Sequence, residues 1–293
     1  MKKSIIILLA SVLLILMGGC SQEKEEKAAE ERKVLKIGAI PDQNVSKLNR
    51  RFEELANYLA EETGLEVEYV PTVDYSALVT AFERGEIHLG WFGGLTGVQA
   101  RSVTPNSEAI AQRPRDEEFH SVFIAQKNLG VSNLEELKGL NFTFGSESST
   151  SGHLMPRYYM GKGGIDPDKD LEGSPNYSGS HDKTWKLVES GAFQAGALNE
   201  AVWESAVSNG KVDLEKVEVF YTTPAYYDYN WTINDVDAVF GEGTKESVKR
   251  GLLSFGEEKS EVMELFNAEK FIETKNENYD AILSVAKKLG IIE

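Results

Sequence analysis

From Val34 onwards the sequence alternates short apolar segments with longer amphipathic ones, and this alternation restricts the fold more than any other feature of the chain. The short segments have the length and apolar pattern of β-strands, and the longer segments carry apolar side chains at helical spacing. A strand–helix–strand order predicts parallel strands covered by helices. The predicted strands are 34–40, 65–70 and 88–92, and the predicted helices are 46–62, 75–84 and 95–101.

A second series of strands and helices follows the first. About 270 residues remain once a short N-terminal segment is set aside, which is more than one ordinary hydrophobic core contains, so we expect two α/β lobes. The further predicted strands are 121–126, 142–144, 193–198 and 217–221, and the further helices are 151–160, 181–190 and 201–207, with a mostly helical tail over 236–289.

The N-terminus has the features of a secretory signal that ends at a lipid-attachment site. Lys2 and Lys3 precede an apolar stretch over 5–16, which is too short for an ordinary membrane span. Small residues then precede Cys20, the single cysteine of the chain, although Met17 stands where leucine is commoner. We predict that residues 1–19 are a signal peptide and that a lipid on Cys20 anchors the protein to the extracytoplasmic face of a cell membrane. The alternative is an ordinary signal peptide with an incidental cysteine.

Residues 20–33 are almost wholly polar and charged, which predicts a flexible tether. The formal charge of the chain is −16, and it becomes −18 without the two lysines of the signal. Such acidity argues against nucleic acid as a partner, because a phosphate backbone requires a basic surface. It does not exclude a small anionic ligand, since distant surface charges are screened beyond about 8–10 Å.

A hydroxyl-rich loop over 145–152 lies between a predicted strand and a predicted helix. The first N–H groups of a helix have no partner within the helix, and the helix dipole adds partial positive charge there. The hydroxyls of Ser149, Thr150 and Ser151 add donors, so the loop predicts an anion-binding site. It lacks the lysine of a P-loop, which argues against nucleotide hydrolysis. The alternative is a serine or threonine helix cap in an ordinary loop.

The run Ser149-Thr150-Ser151-Gly152 after a strand resembles the binding loop of the phosphonate/phosphite/phosphate solute-binding family of ABC importers. Other segments resemble that family in the same order along the chain. They are 37–41, 73–75, 89–94, 178–182 and 223–229. The resemblance covers nearly all of the chain after the tether, and its specificity lies in the ordered set of segments.

The resemblance implies the two-lobed type II periplasmic-binding-protein fold, an α/β architecture with a ligand cleft between the lobes. In this family the C-terminal segment completes the first lobe. We therefore expect 34–118 and 224–293 to form lobe 1 and 119–223 to form lobe 2. The implied protein is a monomer without a cofactor that delivers a small tetrahedral oxyanion to ABC permease and ATPase subunits.

The same resemblance implies ligand-binding residues on both lobes. From lobe 1, Tyr75 and either Trp91 or Phe92 would line the cleft, although the two rings that end a strand have the hydrophobic core as an alternative. From lobe 2, Ser149, Thr150, Ser151 and His181 would hold the anion, and Asp228 would lie at the returning crossover between lobes.

Other polar residues are given smaller roles. Asp74 is expected to cap a helix rather than to contact ligand. His88, His120 and His153 show no metal-ligand spacing, so no metal site is predicted. His153 stands where members of the family often have tyrosine.

The residues around 199 bear on which oxyanion is bound. A phosphate-type ligand keeps a proton near neutral pH, so its site can use a carboxylate as acceptor, whereas selenate and sulfate require donors only. Asn199 stands where many relatives have a carboxylate, which favours a donor-only site, but Glu200 and Asp228 remain. The segments 196–199 and 226–231 resemble a subgroup proposed to import selenate. Phosphonate-class and selenate-like or sulfate-like ligands both stay open.

Two other classes of function compete with transport. A hydrolase would use the serine-rich loop and His181 as nucleophile and base, but the chain has no Gly-x-Ser-x-Gly segment and no evident third triad member, so we predict that it is not an enzyme. A ligand-sensing module for a membrane kinase would have to act through a partner, because the sequence carries no signalling segment.

Overall fold

The computed structural model describes residues 33–254, 263 and 266–293. The predicted signal peptide, Cys20 and the tether up to residue 32 lie outside the described residues. Residues Val34–Glu293 form one compact unit. None of the helices in the described ranges is long and apolar enough to span a membrane.

The described strands form a six-stranded sheet and a five-stranded sheet. The strands are Val34–Ala39 (β1), Glu66–Tyr69 (β2), Leu89–Phe92 (β3), Glu108–Gln112 (β4), Ser121–Gln126 (β5), Phe142–Phe144 (β6), Asn176–Tyr177 (β7), Ala195–Asn199 (β8), Val217–Thr222 (β9), Asn230–Ile233 (β10) and Ile272–Glu273 (β11). The first sheet has the order β11-β4-β10-β3-β1-β2, and the second has the order β7-β6-β8-β5-β9. We call the part that carries the first sheet the first half and the part that carries the second sheet the second half. The predicted lobe boundaries at 118/119 and 223/224 stay a prediction.

Helices pack on both sheets. They are Val45–Thr63 (α1), Tyr75–Glu83 (α2), Gly94–Val103 (α3), Met155–Lys162 (α4), Pro167–Asp170 (α5), His181–Glu189 (α6), Glu200–Ser208 (α7), Val236–Phe240 (α8), Thr244–Leu253 (α9) and Asp280–Lys288 (α10). A π-type turn over Thr150–Leu154 leads into α4. Short 3-10 turns lie at Pro114–Glu117, Lys127–Leu129, Leu134–Leu137 and Asn276–Tyr279.

The local signals in the sequence explain the first helices. In α1, Leu48, Phe52 and Leu55 are buried on the face that meets the sheet. The helix ends at Gly64, whose φ of 71° is a left-handed conformation that glycine adopts without steric cost. The prediction that Asp74 caps a helix is confirmed, because its carboxylate accepts a hydrogen bond from the Ala77 N–H at 2.7 Å.

The prediction of parallel strands is confirmed for β1, β2 and β3, and wrong for the rest of the first sheet. β1 pairs in parallel with both β2 and β3, but β10 lies antiparallel between β3 and β4. Strand β10 returns from the second half, so its place in the sheet depends on distant pairing rather than on local pattern. The sequence analysis also missed β4, β7, β10 and β11, and the last of these interrupts the predicted helical tail.

This order places the carboxyl ends of β1 and β3 side by side. From there the chain runs from β1 to β2 on one side and from β3 to β4 on the other, so the two connections diverge. In open α/β sheets, ligands bind at such a switch point. The segments that follow β1 and β3 begin with Ile40 and Gly93, and they contact the second half through the Asp42 carbonyl and the Leu95 N–H.

Candidate functional site

A set of buried polar side chains collects where the two halves meet, and we call it the polar cluster. Its members are each at most 4 % exposed. They are Asp42, Tyr75, Ser149, Thr150, Ser151, His181, Asp228 and Tyr229. Six of these eight residues were predicted as ligand-binding residues from the sequence, and Asp42 and Tyr229 were not.

The hydroxyl-rich loop is held by a helix cap and by two close-packed glycines. Ser149 Oγ accepts a hydrogen bond from the Gly152 N–H at 2.9 Å, so the alternative of a helix cap holds for Ser149, and its contact with an anion stays a prediction. The Gly145 N–H donates to the Gly152 carbonyl at 2.8 Å. A Cβ on Gly152 would lie 3.0 Å from both Gly145 Cα and His181 Cε1, so a larger residue would require these neighbours to shift. The chain then enters the π-type turn, a conformation that is frequent at functional sites.

Thr150 and Asp228 meet the N-terminus of α3 in the first half. The Leu95 N–H donates to Thr150 Oγ1 at 2.9 Å, and the Gly94 N–H donates to Asp228 Oδ1 at 2.8 Å. These bonds use two of the helix N–H groups that have no partner within α3. Burial raises the pKa of Asp228 to about 7, although the Gly94 N–H and the nearby hydroxyls of Thr150 and Ser151 act to lower it.

His181 begins α6 and contacts the first half through its backbone. Its N–H donates to the Asp42 carbonyl at 3.0 Å, and its Nδ1 accepts from the Asn199 N–H at 3.3 Å. Burial lowers the pKa of His181 to about 4, against the opposing charges of Asp42 and Asp182, so the ring is neutral at neutral pH. Because Nδ1 is an acceptor, we assign the ring proton to Nε2, which makes that nitrogen a donor.

Asn199 is occupied by structural bonds. Its Oδ1 caps α7 by accepting from the Val202 N–H at 2.8 Å, and its Nδ2 donates to Tyr229 OH at 2.8 Å. Tyr229 in turn donates to Asp42 Oδ2 at 2.8 Å. The predicted ligand contact of Asn199 therefore stays a prediction, and its observed bonds hold Tyr229 and α7 in place.

Several polar atoms of the cluster have no hydrogen-bond partner among the described residues. They are Asp42 Oδ1, Tyr75 OH, His181 Nε2 and Asp228 Oδ2. Burying a polar atom without a partner costs about 1–3 kcal/mol, so such atoms gather where a bound molecule supplies the bonds. The set contains donors at Tyr75 and His181 and acceptors at Asp42 and Asp228, which suits a small ligand with several oxygens and at least one proton.

Trp91 and Phe92 lie in the hydrophobic core of the first half. Phe92 packs edge-on against Phe82 with ring centroids 5.4 Å apart, and Trp91 stacks on Tyr229 at 5.5 Å. Their contact with a ligand stays a prediction, and the packing of Phe92 inside the sheet–helix layer argues against it. Trp91 supports the cluster indirectly, because it fixes the ring of Tyr229.

The remaining candidates lie around the cluster. Glu200 contacts Arg115 at 3.4 Å, and burial raises its pKa. His153, to which the sequence analysis gave no role, supports the hydroxyl-rich loop: its Nδ1 lies 2.6 Å from the Glu147 carbonyl, and its Nε2 accepts from Arg157 Nε at 3.0 Å. Within the described residues, no three His, Cys, Asp or Glu side chains are arranged to hold a metal ion.

A sequence signal for Asp42 existed. The residue follows β1 at the carboxyl end of a parallel strand beside a switch point, where ligands bind in open sheets. Tyr229 carried no comparable local signal, because its role depends on contact with Asp42 and Asn199 far away in the sequence.

Comparison with known proteins gives the family. The family model described as the phosphonate periplasmic substrate-binding protein of ABC transporters matches residues 37–279. The chain is 44% identical over 270 residues to a probable ABC transporter phosphite binding protein, PhnD1, of Prochlorococcus marinus strain MIT 9301, and the match covers 89% of this chain and 91% of that protein. It is 26% identical over 189 residues to the phosphate-import protein PhnD of Mycolicibacterium smegmatis, covering 61% of this chain and 59% of that one.

Solved structures agree. The structure of Prochlorococcus marinus PhnD1 in complex with methylphosphonate has a TM-score of 0.86 and 44% identity, and the match covers 89% of this chain and 100% of that chain. A binding protein of an ABC phosphonate transporter from Pseudomonas aeruginosa has a TM-score of 0.76 at 19% identity, over 87% and 86% of the two chains. The predicted type II periplasmic-binding-protein fold is thus confirmed. The prediction that the chain is not an enzyme is also confirmed, since these relatives are binding proteins. The chain belongs to the family of phosphonate periplasmic substrate-binding proteins of ABC transporters.

Proposed function

We propose that this protein binds a small tetrahedral phosphorus oxyanion of the phosphonate, phosphite and phosphate class and delivers it to an ABC importer. The lobes of the sequence prediction, 34–118 with 224–293 and 119–223, would close on the ligand as a monomer. The observation that carries the proposal is the set of buried atoms without partners at Tyr75, His181 and Asp228, next to the helix start at Thr150.

The mixture of donors and acceptors favours phosphorus oxyanions over selenate and sulfate. When ionised, Asp228 Oδ2 accepts a proton carried by the ligand, and only this form distinguishes between oxyanions, since a protonated Asp228 would donate to any of them. A ligand that keeps one proton satisfies the ionised form, and selenate and sulfate do not. The argument for a donor-only site rested on Asn199, whose amide is occupied by Val202 and Tyr229. The relatives support the same class. They are named as a probable phosphite binding protein and a phosphate-import protein, and the solved PhnD1 structure is a complex with methylphosphonate.

The test is calorimetric titration against methylphosphonate, phosphite, phosphate, sulfate and selenate. We expect the phosphorus oxyanions to bind more tightly than sulfate and selenate. His181→Gln should weaken the best ligand roughly tenfold to hundredfold, because a hydrogen bond to a charged group contributes about 1.5–3 kcal/mol. His120→Gln is the matched control, since His120 contacts the Thr223 carbonyl outside the cluster. Tighter binding of selenate or sulfate would contradict the proposed ligand class. Failure to bind any of these oxyanions would contradict the proposed anion site.

We also propose that a lipid on Cys20 anchors the protein outside the membrane. The support is the sequence alone: a signal-like segment and small residues before the single cysteine. Cys20→Ala should abolish labelling by a radioactive fatty acid and release the protein from the membrane fraction. A variant that stays labelled and membrane-bound would contradict this anchor.

The partner to which the protein binds in the membrane distinguishes a transport function from a sensory one. Cross-linking of the ligand-loaded protein in membranes should capture a permease with its ATPase. Capture of a membrane kinase instead would favour the sensory alternative.

A further inference from the structure

Asp42 carries a buried acceptor oxygen to which no described residue donates. The residue is 4 % exposed and follows the carboxyl end of β1. Its Oδ2 accepts from Tyr229 OH at 2.8 Å, whereas its Oδ1 has no partner. An unsatisfied buried carboxylate oxygen is costly, so this atom requires an explanation.

The direction of the neighbouring hydrogen bonds is fixed. Asn199 Nδ2 donates to Tyr229 OH, so the single hydroxyl proton of Tyr229 goes to Asp42 Oδ2. Burial and the charge of Asp42 hold the pKa of Tyr229 well above its usual value, so the tyrosine keeps this proton. The chain of bonds therefore ends at Asp42 as a pure acceptor, and a bound ligand can supply the donor that Oδ1 lacks among the described residues.

Asp42 lies beside the donors of the polar cluster. Its charge raises the pKa values of both Tyr75 and His181. Its backbone carbonyl accepts a hydrogen bond from the His181 N–H at 3.0 Å. The titratable groups that interact with Asp42 are Lys47, Arg51, Tyr69, Tyr75, Arg113, His181 and Tyr229.

We propose that Asp42 Oδ1 accepts the proton that a phosphorus oxyanion retains, and that Asp42 thereby selects such ligands against sulfate and selenate. The inference rests on the proposed function and names a specificity-determining residue for it. An anion without a proton would set an oxygen lone pair against the carboxylate in a buried site, where repulsion is poorly screened. A monoprotonated phosphonate would form a short, charge-assisted O–H···O bond in the same place.

The experiment is titration of the full chain with methylphosphonate and with sulfate at about pH 6, where phosphate-type groups keep a proton. Asp42→Asn should weaken the binding of methylphosphonate roughly tenfold to hundredfold. Sulfate binding should stay equal or become tighter, because the amide offers a donor. The ratio of the two affinities should therefore fall by at least tenfold.

Asp182→Asn is the matched control, because Asp182 also acts electrostatically on His181 but its carboxylate is occupied by Ser180 and Lys186. This control should keep the wild-type ratio. If Asp42→Asn does not fold, as judged by circular dichroism, Asp42→Ser replaces it, since serine also removes the carboxylate. An unchanged ratio in the Asp42 variant, or an equal change in the control, would overturn the role of Asp42 and leave the proposed function intact. Failure of the wild type to bind either ligand would overturn both.

Discussion

Asp228 is completely enclosed by protein, and its carboxyl group has a pKa of about 7, raised chiefly by burial. In the unfolded chain the same group loses its proton near 3.8. Between these two values the folded state binds more protons than the unfolded state, so this residue lowers stability as the pH rises through that range.

Replacing Asp228 by asparagine should therefore stabilise the ligand-free protein above about pH 7, by a few kcal/mol according to the pKa difference. The gain should shrink at about pH 4, where the wild-type carboxyl is protonated in the folded state and only about half ionised in the unfolded chain. Urea unfolding of both proteins at the two pH values measures this. Asp182→Asn should behave oppositely at high pH, because bonds to Lys186 and Ser180 outweigh burial and hold the Asp182 pKa below its usual value. A ligand-free Asp228→Asn protein that is less stable than the wild type at high pH would contradict the assignment.

His153 shows the opposite pKa shift, because burial again disfavours the charged form and the charged form of histidine is the protonated one. Burial lowers its pKa from 6.5 to about 4. Between these two pH values the histidine is protonated in the unfolded chain and neutral in the folded state. We expect wild-type stability to fall as the pH decreases from about 6.5 to 4, and His153→Phe to lose less over this window. At neutral pH the variant should be destabilised by about 1–3 kcal/mol, because the Glu147 carbonyl and Arg157 lose their partner. Denaturant unfolding across this pH range measures the free energy of unfolding of both proteins and checks both expectations. A difference between the two free energies that does not change with pH would exclude His153 as the titrating group.

At the scale of elements, the turn at Thr150–Leu154 combines two tasks in adjacent hydroxyls. Ser149 caps the turn through the Gly152 N–H, and Thr150 reaches across to the N-terminus of α3 through the Leu95 N–H. The two helix starts therefore point their N–H groups toward the same buried region. We therefore expect the cap and the proposed ligand contact to be separable by mutation even though they are neighbours in sequence.

Ser149→Ala should cost about 1 kcal/mol of stability, as the loss of a helix cap usually does. Thr150→Val keeps the shape and removes the hydroxyl, so we expect a roughly tenfold to hundredfold loss of oxyanion affinity if the site is as proposed. Calorimetric titration paired with melting curves separates the two effects. Unchanged affinity in the Thr150 variant would exclude its hydroxyl from the site.

At the scale of the whole molecule, the two halves are joined by hydrogen bonds that run through the polar cluster. Thr150 contacts Leu95, His181 contacts Asp42, and Asn199 contacts Tyr229. These bonds link segments that are far apart in sequence, so they form only when the halves approach each other. The structure described here is thus a closed arrangement.

Ligand should shift the protein toward this closed arrangement, because bonds from both halves to one anion form only there. We expect small-angle scattering to show a smaller radius of gyration with saturating methylphosphonate than without ligand. Tyr229→Phe removes the hydrogen bond that Asn199 donates across the two halves and should reduce the compaction at a fixed ligand concentration. Identical scattering curves with and without bound ligand would contradict a hinge mechanism.

The sequence by itself determined the features that are encoded within a few residues. The apolar periodicity located β1, α1, β2 and α2, and the single side chain of Asp74 marked the start of α2. The hydroxyl-rich run at 149–152 was equally local, because a helix start and its donors are set by adjacent residues. The resemblance to a family added His181 and Asp228, which no local pattern distinguishes.

Only the tertiary structure decided which distant residues meet. Strand β10 enters the first sheet antiparallel from the other half, and no short-range pattern specifies that pairing. Asp42 and Tyr229 are separated by 187 residues, and Tyr229 becomes part of the cluster only through that contact. Trp91 and Phe92 are consecutive, and their neighbours in the folded core, Tyr229 and Phe82, determine their packing. Burial also sets the pKa values of His181 and Asp228, because desolvation depends on how the whole chain encloses a group and not on its neighbours in sequence.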